Sequence, residues 1–216
     1  MTPKVYLFDL WMTLVFGLTT DPILTLQEQL GFGVREGEST ALNDRFLGTC
    51  LTTNIPDQRQ FLRQVGRQFG VRLNKKHYRL FGELLASERQ KVTLYPETLA
   101  VLTELKARGA RIGLISNLWP FPVQRVFTEM GLGAYFEHMI YSFEVGIRKP
   151  DSRIFQHACQ RFGVTPADCI MVGDSMGSDV VGALSVGMPA AFINRSGKCV
   201  SVPPGAGQIT SLSQLL

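Results

Sequence analysis

The sequence predicts an α/β protein whose parallel sheet is interrupted, just after its first strand, by a helical insertion. Three observations predict it. Short apolar runs bounded by turn residues recur in the second half and alternate with stretches of helical spacing. One further run, Val5 to Phe8, stands alone at the start and ends on Asp9. Between about Thr19 and Lys91 the spacing is helical, with no convincing strand.

Val5-Tyr6-Leu7-Phe8 is a β-prone apolar run and reads as a buried strand. Ile23, Leu24, Leu26, Gln27 and Leu30 suit a short amphipathic helix ended by Gly31. Pro56 opens a stronger one, in which Phe61, Leu62, Val65 and Phe69 keep helical spacing up to Gly70. Leu80, Phe81, Leu84 and Leu85 continue the theme in a segment rich in Lys, Arg and Glu. An insertion of this length cannot lie inside a sheet. Residues 17–92 are therefore expected to form a small helical cap over the mouth of the first strand, and residues 1–16 with 93–216 the core.

Leu94-Tyr95-Pro96 marks the return. Pro96 fits the first turn of a helix carrying Leu99, Val101, Leu102 and Leu105, which ends at Gly109. Strands follow over Arg111 to Ile115, Met139 to Ser142, Cys169 to Val172 and Ala190 to Ile193, the last clear one. Helices over Val123 to Met130, Ile154 to Phe162 and Val180 to Val186 separate them, closed by Gly131, Gly163 and Gly187. This alternation means βαβ units and a Rossmann-like parallel sheet. Right-handed crossovers leave the carboxyl ends of the strands on one edge, where open α/β sheets bind their ligands.

The whole chain of 216 residues can fill one sizeable core and a small accessory unit. A hydrophobic share of 45% with 19% charged residues suits a folded globular protein. The net charge of +4 comes without a dense Lys/Arg block, which argues against a nucleic-acid partner and for a basic rim that draws in small anions. Cys50, Cys159, Cys169 and Cys199 are scattered, as reduced thiols of a cytoplasmic protein would be. The first apolar run is broken at Asp9, too early for a secretion signal, and no stretch is long enough to span a membrane. A monomer or a homodimer is expected.

Four stretches carry side chains that could do chemistry at the shared edge. Asp9 ends the first strand, where a carboxylate can attack and form a covalent intermediate, although turns favour Asp too. Ser116-Asn117 ends the second; a hydroxyl and backbone N–H groups there can hold a phosphate oxygen, or simply make a turn. Lys149 precedes Pro150, which favours an extended backbone; its ammonium could offset charge on a carboxylate and a phosphoryl group, or lie solvated on the surface. Asp174 follows Gly173 at the end of another strand, and Asp179 lies five residues on, near a helix start. Hard oxygen ligands at a strand end suit Mg²⁺; the plainer reading of Asp179 is charge complementing a helix dipole.

In this order the pieces resemble the haloacid dehalogenase (HAD) superfamily of hydrolases. The resemblance runs from Val5 to about Arg195 and rests on Asp9 with Thr13, Ser116, Lys149, and Gly173-Asp174 with Asp179. It implies Asp9 as nucleophile and Lys149 as the catalytic cation. It implies Ser116, Asn117 and Thr13 as substrate-binding and loop-orienting groups. Asp9, the Trp11 carbonyl, Asp174 and Asp179 are then the Mg²⁺ ligands, and the insertion is the substrate-selecting cap.

One position departs from the pattern. Two residues after the nucleophile, family phosphatases carry a second aspartate that protonates the leaving group and activates water. Here that residue is Trp11, which can do neither. The usual glycine before Thr13 is Met12, so the loop backbone is expected to avoid positive φ. Losing general acid–base help costs about 10²–10⁴-fold.

The expectation is a Mg²⁺-dependent phosphoryl hydrolase of weakened or atypical turnover, acting on a small anionic substrate such as a phosphorylated metabolite. A metal-independent 2-haloacid dehalogenase is one alternative. Relatives of that kind carry an aromatic residue at the Trp11 position and a cap arginine comparable to Arg45, and the Asn194-Arg195 pair occurs among them too. Relatives resembling phosphonoacetaldehyde hydrolase use a cap lysine, for which Lys75, Lys76 and Lys91 are available. A binding or scaffold protein without turnover is the remaining alternative.

Overall fold

A computed structural model describes residues 5–17, 21–31, 40–121, 124–197 and 200–216. In chain order the elements are β1 (Val5–Phe8), β2 (Val15–Phe16), α1 (Pro22–Gln29), α2 (Thr40–Thr52), α3 (Gln58–Gln68), α4 (Lys75–Lys91) and β3 (Thr93–Leu94). Then come α5 (Thr98–Ala107), β4 (Arg111–Ser116), α6 (Gln124–Thr128), β5 (His138–Tyr141), α7 (Ser142–Val145), α8 (Ser152–Phe162) and β6 (Cys169–Gly173). A wide π-type turn (Met176–Val181), α9 (Gly182–Leu184), β7 (Ala190–Ile193) and β8 (Ala206–Ile209) complete the chain.

Six strands form one sheet in the order β5-β4-β1-β6-β7-β8, and every neighbouring pair is parallel. β1 sits in the middle because it is apolar on both faces. Tyr6 and Phe8 pack on one side with Val101, Leu102 and Leu105 of α5; Val5 and Leu7 pack on the other with Ile154, Phe155 and Phe162 of α8. A strand covered on both sides reads as a continuous apolar run rather than an alternating one.

The four helices α1–α4 lie between β2 and β3, which pair antiparallel. Each start has a local cause. Asp21 caps α1 by accepting from Ile23 N and Leu24 N, Asp57 caps α3 through Gln60 N, and Asn74 caps α4 in a box closed by His77. Their apolar faces close on one another around Ile23, Leu26, Phe46, Phe61 and Phe81. Trp119 and Phe121, from the loop after β4, enter the same cluster and meet the rings of Phe61 and Phe81 edge to face. Among the described residues no helix is long and apolar enough to cross a membrane.

Several expectations need correction. Helix α2 did not stand out, because Gly48, Thr49 and Thr52 dilute the buried set Phe46, Cys50 and Leu51. Pro56 does not open α3, since Asp57 is the N-cap, and Pro96 precedes α5, whose N-cap is Glu97. Ser142 belongs to α7 rather than to a strand; its hydroxyl accepts from Leu118 N and donates to Leu118 O. The helix expected over Val180 to Val186 starts earlier, as the π-type turn. Ala190–Ile193 is not the last strand: β8, with the weakly apolar sequence Ala-Gly-Gln-Ile, lies at the sheet edge. Val123 and Thr19, which bounded two expected helical stretches, lie outside the described residues, as does Cys199.

Candidate active site

β1, β4 and β6 are adjacent, so their ends deliver Asp9, Ser116 and Gly173-Asp174 to one spot. Asp9 N donates to Val172 O at 2.9 Å, which ties the end of β1 to β6. The Asp9 side chain is 11% exposed. Its Oδ1 accepts from Lys149 Nζ at 2.7 Å and from Ser116 Oγ at 3.1 Å. Lys149 Nζ also donates to Asp179 Oδ1 at 2.5 Å, and Ser175 N donates to Asp179 Oδ2 at 2.9 Å.

The close approach of Asp179 to β6 needs a glycine. A Cβ on Gly173 would lie 2.3 Å from Asp179 Oδ2, inside any allowed contact. The π-type turn then swings the chain wide, with Asp179 N and Val180 N both donating to Ser175 O. Such wide turns recur at functional sites because they re-aim a side chain within a helix.

Lys149 is held from behind. Asn117 Nδ2 donates to Lys149 O at 3.0 Å, and Lys149 N donates to Asn117 Oδ1 at 2.8 Å. The side chain of Asn117 is thus engaged with the lysine's main chain, while Ser116 next to it reaches Asp9. The Lys149–Pro150 peptide is cis.

Asp9, Asp174 and Asp179 each bring a carboxylate oxygen within 4.8 Å of the others. Burial, then the neighbouring Asp9 and Asp179, push the Asp174 carboxyl up to about 7. Burial alone would lower the Lys149 ammonium, but the Asp179 and Asp9 carboxylates outweigh it and hold its pKa above the usual lysine value. Lys149 bonds Asp9 and Asp179 while Asp174 lies beside them, so ionising all three carboxylates leaves negative charge that a divalent cation would match. An all-oxygen donor set is what Mg²⁺ prefers.

The loop after Asp9 corrects the backbone expectation. Met12 has φ 54, the left-handed region that favours glycine. A left-handed turn costs an L-residue roughly 1–2 kcal/mol. Met12 N donates to Val15 O and Leu14 N to Leu10 O. From outside, Arg195 Nη2 donates to Thr13 O at 2.7 Å and Nε to Met12 O at 3.3 Å. The guanidinium pairs with Glu97 at 2.7 Å and lies 3.3 Å from the centre of the Tyr95 ring. Thr13 is fully buried, and among the described residues its Oγ1 has no hydrogen-bond partner.

Arg195 is a positioning residue whose partners no spacing rule could name, since they lie far away in the sequence. Arg195→Ala should lower stability by about 1.5–3 kcal/mol, the range for charge-assisted hydrogen bonds. It should also slow turnover by up to about 10²-fold through misplacement of Asp9. Thermal unfolding and steady-state kinetics check the two effects separately.

A cavity of about 460 Å³ opens at this edge, between α1, α2 and the loops after β1 and β4. Trp11 forms part of its wall, with Leu47, Leu51, Leu118 and Trp119. Arg45 is not there; it donates to Gln68 O and lies over the Phe69 ring within the helical segment. Lys75 lines a separate groove with Arg59 and Arg79, and nothing singles out Lys76. The side chain of Lys91 lies outside the described residues.

Fold and site together define an α/β hydrolase built around buried carboxylates. The family model described as haloacid dehalogenase-like hydrolase matches residues 4–187, and the chain belongs to that family. A phosphoserine phosphatase from Thermus thermophilus is 38% identical over 117 residues, 54% of this chain and 47% of the relative. The alignment thus spans about half the length of that curated relative. Among solved structures, a HAD phosphatase from Thermococcus onnurineus is 29% identical with a TM-score of 0.63, covering 98% of this chain and 95% of that one. A 2-haloacid dehalogenase from Pseudomonas syringae is 27% identical with a TM-score of 0.67, covering 99% and 96%.

Proposed function

We propose that this protein is a Mg²⁺-dependent phosphohydrolase that works through an aspartyl-phosphate on Asp9 and releases poorly basic leaving groups best. The observation that carries this reading is Asp174, a half-buried third carboxylate beside Asp9 and Asp179, whose ionised form a cation bound there would stabilise. Asp9 and Asp174, with the Trp11 carbonyl, would hold the ion, and Asp179 is shared with Lys149. When bound, Mg²⁺ supplies positive charge to the transferring phosphoryl oxygens.

The chain's own residues do the rest. Asp9 attacks phosphorus in line with the leaving oxygen. Lys149 holds Asp9 by a hydrogen bond and faces the charge that develops on the phosphoryl group. Ser116 can turn its hydroxyl from Asp9 to a phosphate oxygen, Asn117 fixes Lys149, and the Thr13 carbonyl, held by Arg195, ties down the loop. Residues 17–92 act as a cap over this edge. A cytoplasmic setting suits the free thiols of Cys50, Cys159 and Cys169. The substrate is a small phosphorylated metabolite, and a monomer or homodimer suffices.

The test is phosphate release from p-nitrophenyl phosphate and acetyl phosphate with Mg²⁺ and with EDTA, for the wild type and Asp9→Asn. Release should need Mg²⁺ and should fall at least about 10³-fold in the variant, as loss of a nucleophile does. Rapid quenching should trap phosphate on the wild-type protein alone. The dehalogenase neighbour and the aromatic Trp11 favour one competing reading. EDTA-insensitive halide release from 2-haloacids, with no phosphate release, would establish it instead.

A further inference from the structure

The cavity at the sheet edge differs from what a polar leaving group needs. Its volume of about 460 Å³ is that of an ordinary small-molecule site. Most of its wall is apolar: Trp11, Phe16, Leu47, Leu51, Leu118 and Trp119. Of its four polar residues, all but Ser178 already have their side chains bonded within the protein. The Asp21 carboxylate caps α1, the Asn117 amide holds the Lys149 main chain, and Arg148 is paired with Asp44. A serine, glyceraldehyde or sugar group placed here would lose water and gain few hydrogen bonds, which disfavours binding.

We infer that the cavity holds an aromatic leaving group, and that the substrates are aryl phosphate esters. This rests on the phosphohydrolase reading above and narrows it. Two independent features agree. The wall offers rings and aliphatic carbons to a flat apolar group. Trp11, moreover, stands where family phosphatases keep their proton donor. A phenol has a pKa near 10, as tyrosine does, whereas an aliphatic alcohol lies closer to water at about 15.7. A phenolate can therefore depart without a general acid. Asp9 forms the new O–P bond and the aryl O–P bond breaks. The electron pair stays on the phenolate oxygen, which takes a proton from water. Water then attacks the phosphorus of the aspartyl-phosphate, releasing phosphate and restoring the Asp9 carboxylate.

The test compares kcat/KM with Mg²⁺ for five compounds. 1-Naphthyl and phenyl phosphate differ in apolar area at similar leaving-group pKa. 2-Phenylethyl phosphate and phosphoserine share an aliphatic oxygen and differ in polarity. Acetyl phosphate is small and activated, and reports the phosphoryl chemistry without filling the cavity. 1-Naphthyl phosphate should exceed phosphoserine by at least about 10³-fold, combining acid independence with burial. 2-Phenylethyl phosphate should have a KM about 10-fold or more below that of phosphoserine, the effect of burying a ring. Hydrolysis of acetyl phosphate with phosphoserine equal to or better than the naphthyl ester overturns the inference and leaves the phosphohydrolase reading standing. Failure to hydrolyse any of the five, acetyl phosphate included, overturns both.

Discussion

Lys149→Met should lower the melting temperature by about 6–20 °C and turnover by at least about 10²-fold. The ammonium is almost completely buried and touches two carboxylates, Asp9 at 2.7 Å and Asp179 at 2.5 Å. Methionine fills a similar space but leaves three clustered acids with no cation. Removing one partner of a buried ion pair costs about 3–5 kcal/mol, because the remaining charge is stranded away from water. For a chain of this size each kcal/mol shifts the midpoint by roughly 2–4 °C. Saturating Mg²⁺ should return part of the loss, since a ligand that binds only the folded state stabilises it. Turnover should not return with it, because an ion held by the carboxylates would not replace the ammonium proposed to face the phosphoryl charge. Calorimetry with and without Mg²⁺ checks the first effect. A variant melting within about 2 °C of the wild type would show that the acids are neutralised in another way.

Trp11→Asp should do the opposite and raise kcat for aliphatic phosphate esters by about 10²–10⁴-fold. It places a carboxyl where the chain has an indole, on the wall of the cavity proposed to receive the leaving group. For acetyl phosphate kcat/KM should change little, since its leaving group needs no proton and water attacks only after the intermediate has formed. The ratio of the two substrates thus separates restored acid catalysis from a general change in folding or metal affinity. Lost ring contact should also raise KM for aromatic esters. If phosphoserine turnover stays flat while the variant unfolds at the wild-type temperature, protonation of the leaving group is not what limits the natural protein.

The sheet core was legible because its information is local. β1, β4 and β6 are largely apolar runs ending on Asp9, Ser116 and Gly173, and the crossover rule puts those ends on one edge, although the strand order that makes them neighbours is a finding of the structure. β2 and β3 have two residues each, too few for any periodicity, and β8 is an edge strand with little apolar character. Strand ends and the family resemblance led to the expectation that Asp9, Ser116, Lys149, Asp174 and Asp179 meet at one edge, but they gave no sign of what supports them. Nothing local says that Asn117 spends its amide on the Lys149 main chain, or that Arg195 reaches across to the carbonyls of Met12 and Thr13. Met12 failed as an expectation for the same reason. A left-handed residue is penalised in isolation, and only the distant guanidinium and the turn's own hydrogen bonds show why this one is held there.

Trp119 gives the molecule a third fastening point. A segment joined only by two short paired strands could swing like a flap on a cloth hinge. Here the loop after β4 drives an indole and the Phe121 ring into the segment's interior, so any outward swing must first pull two aromatic plugs from their socket. The same indole is also part of the cavity wall. What presses on the wall therefore presses on the plug, and the ease with which the two halves part should track what the cavity contains.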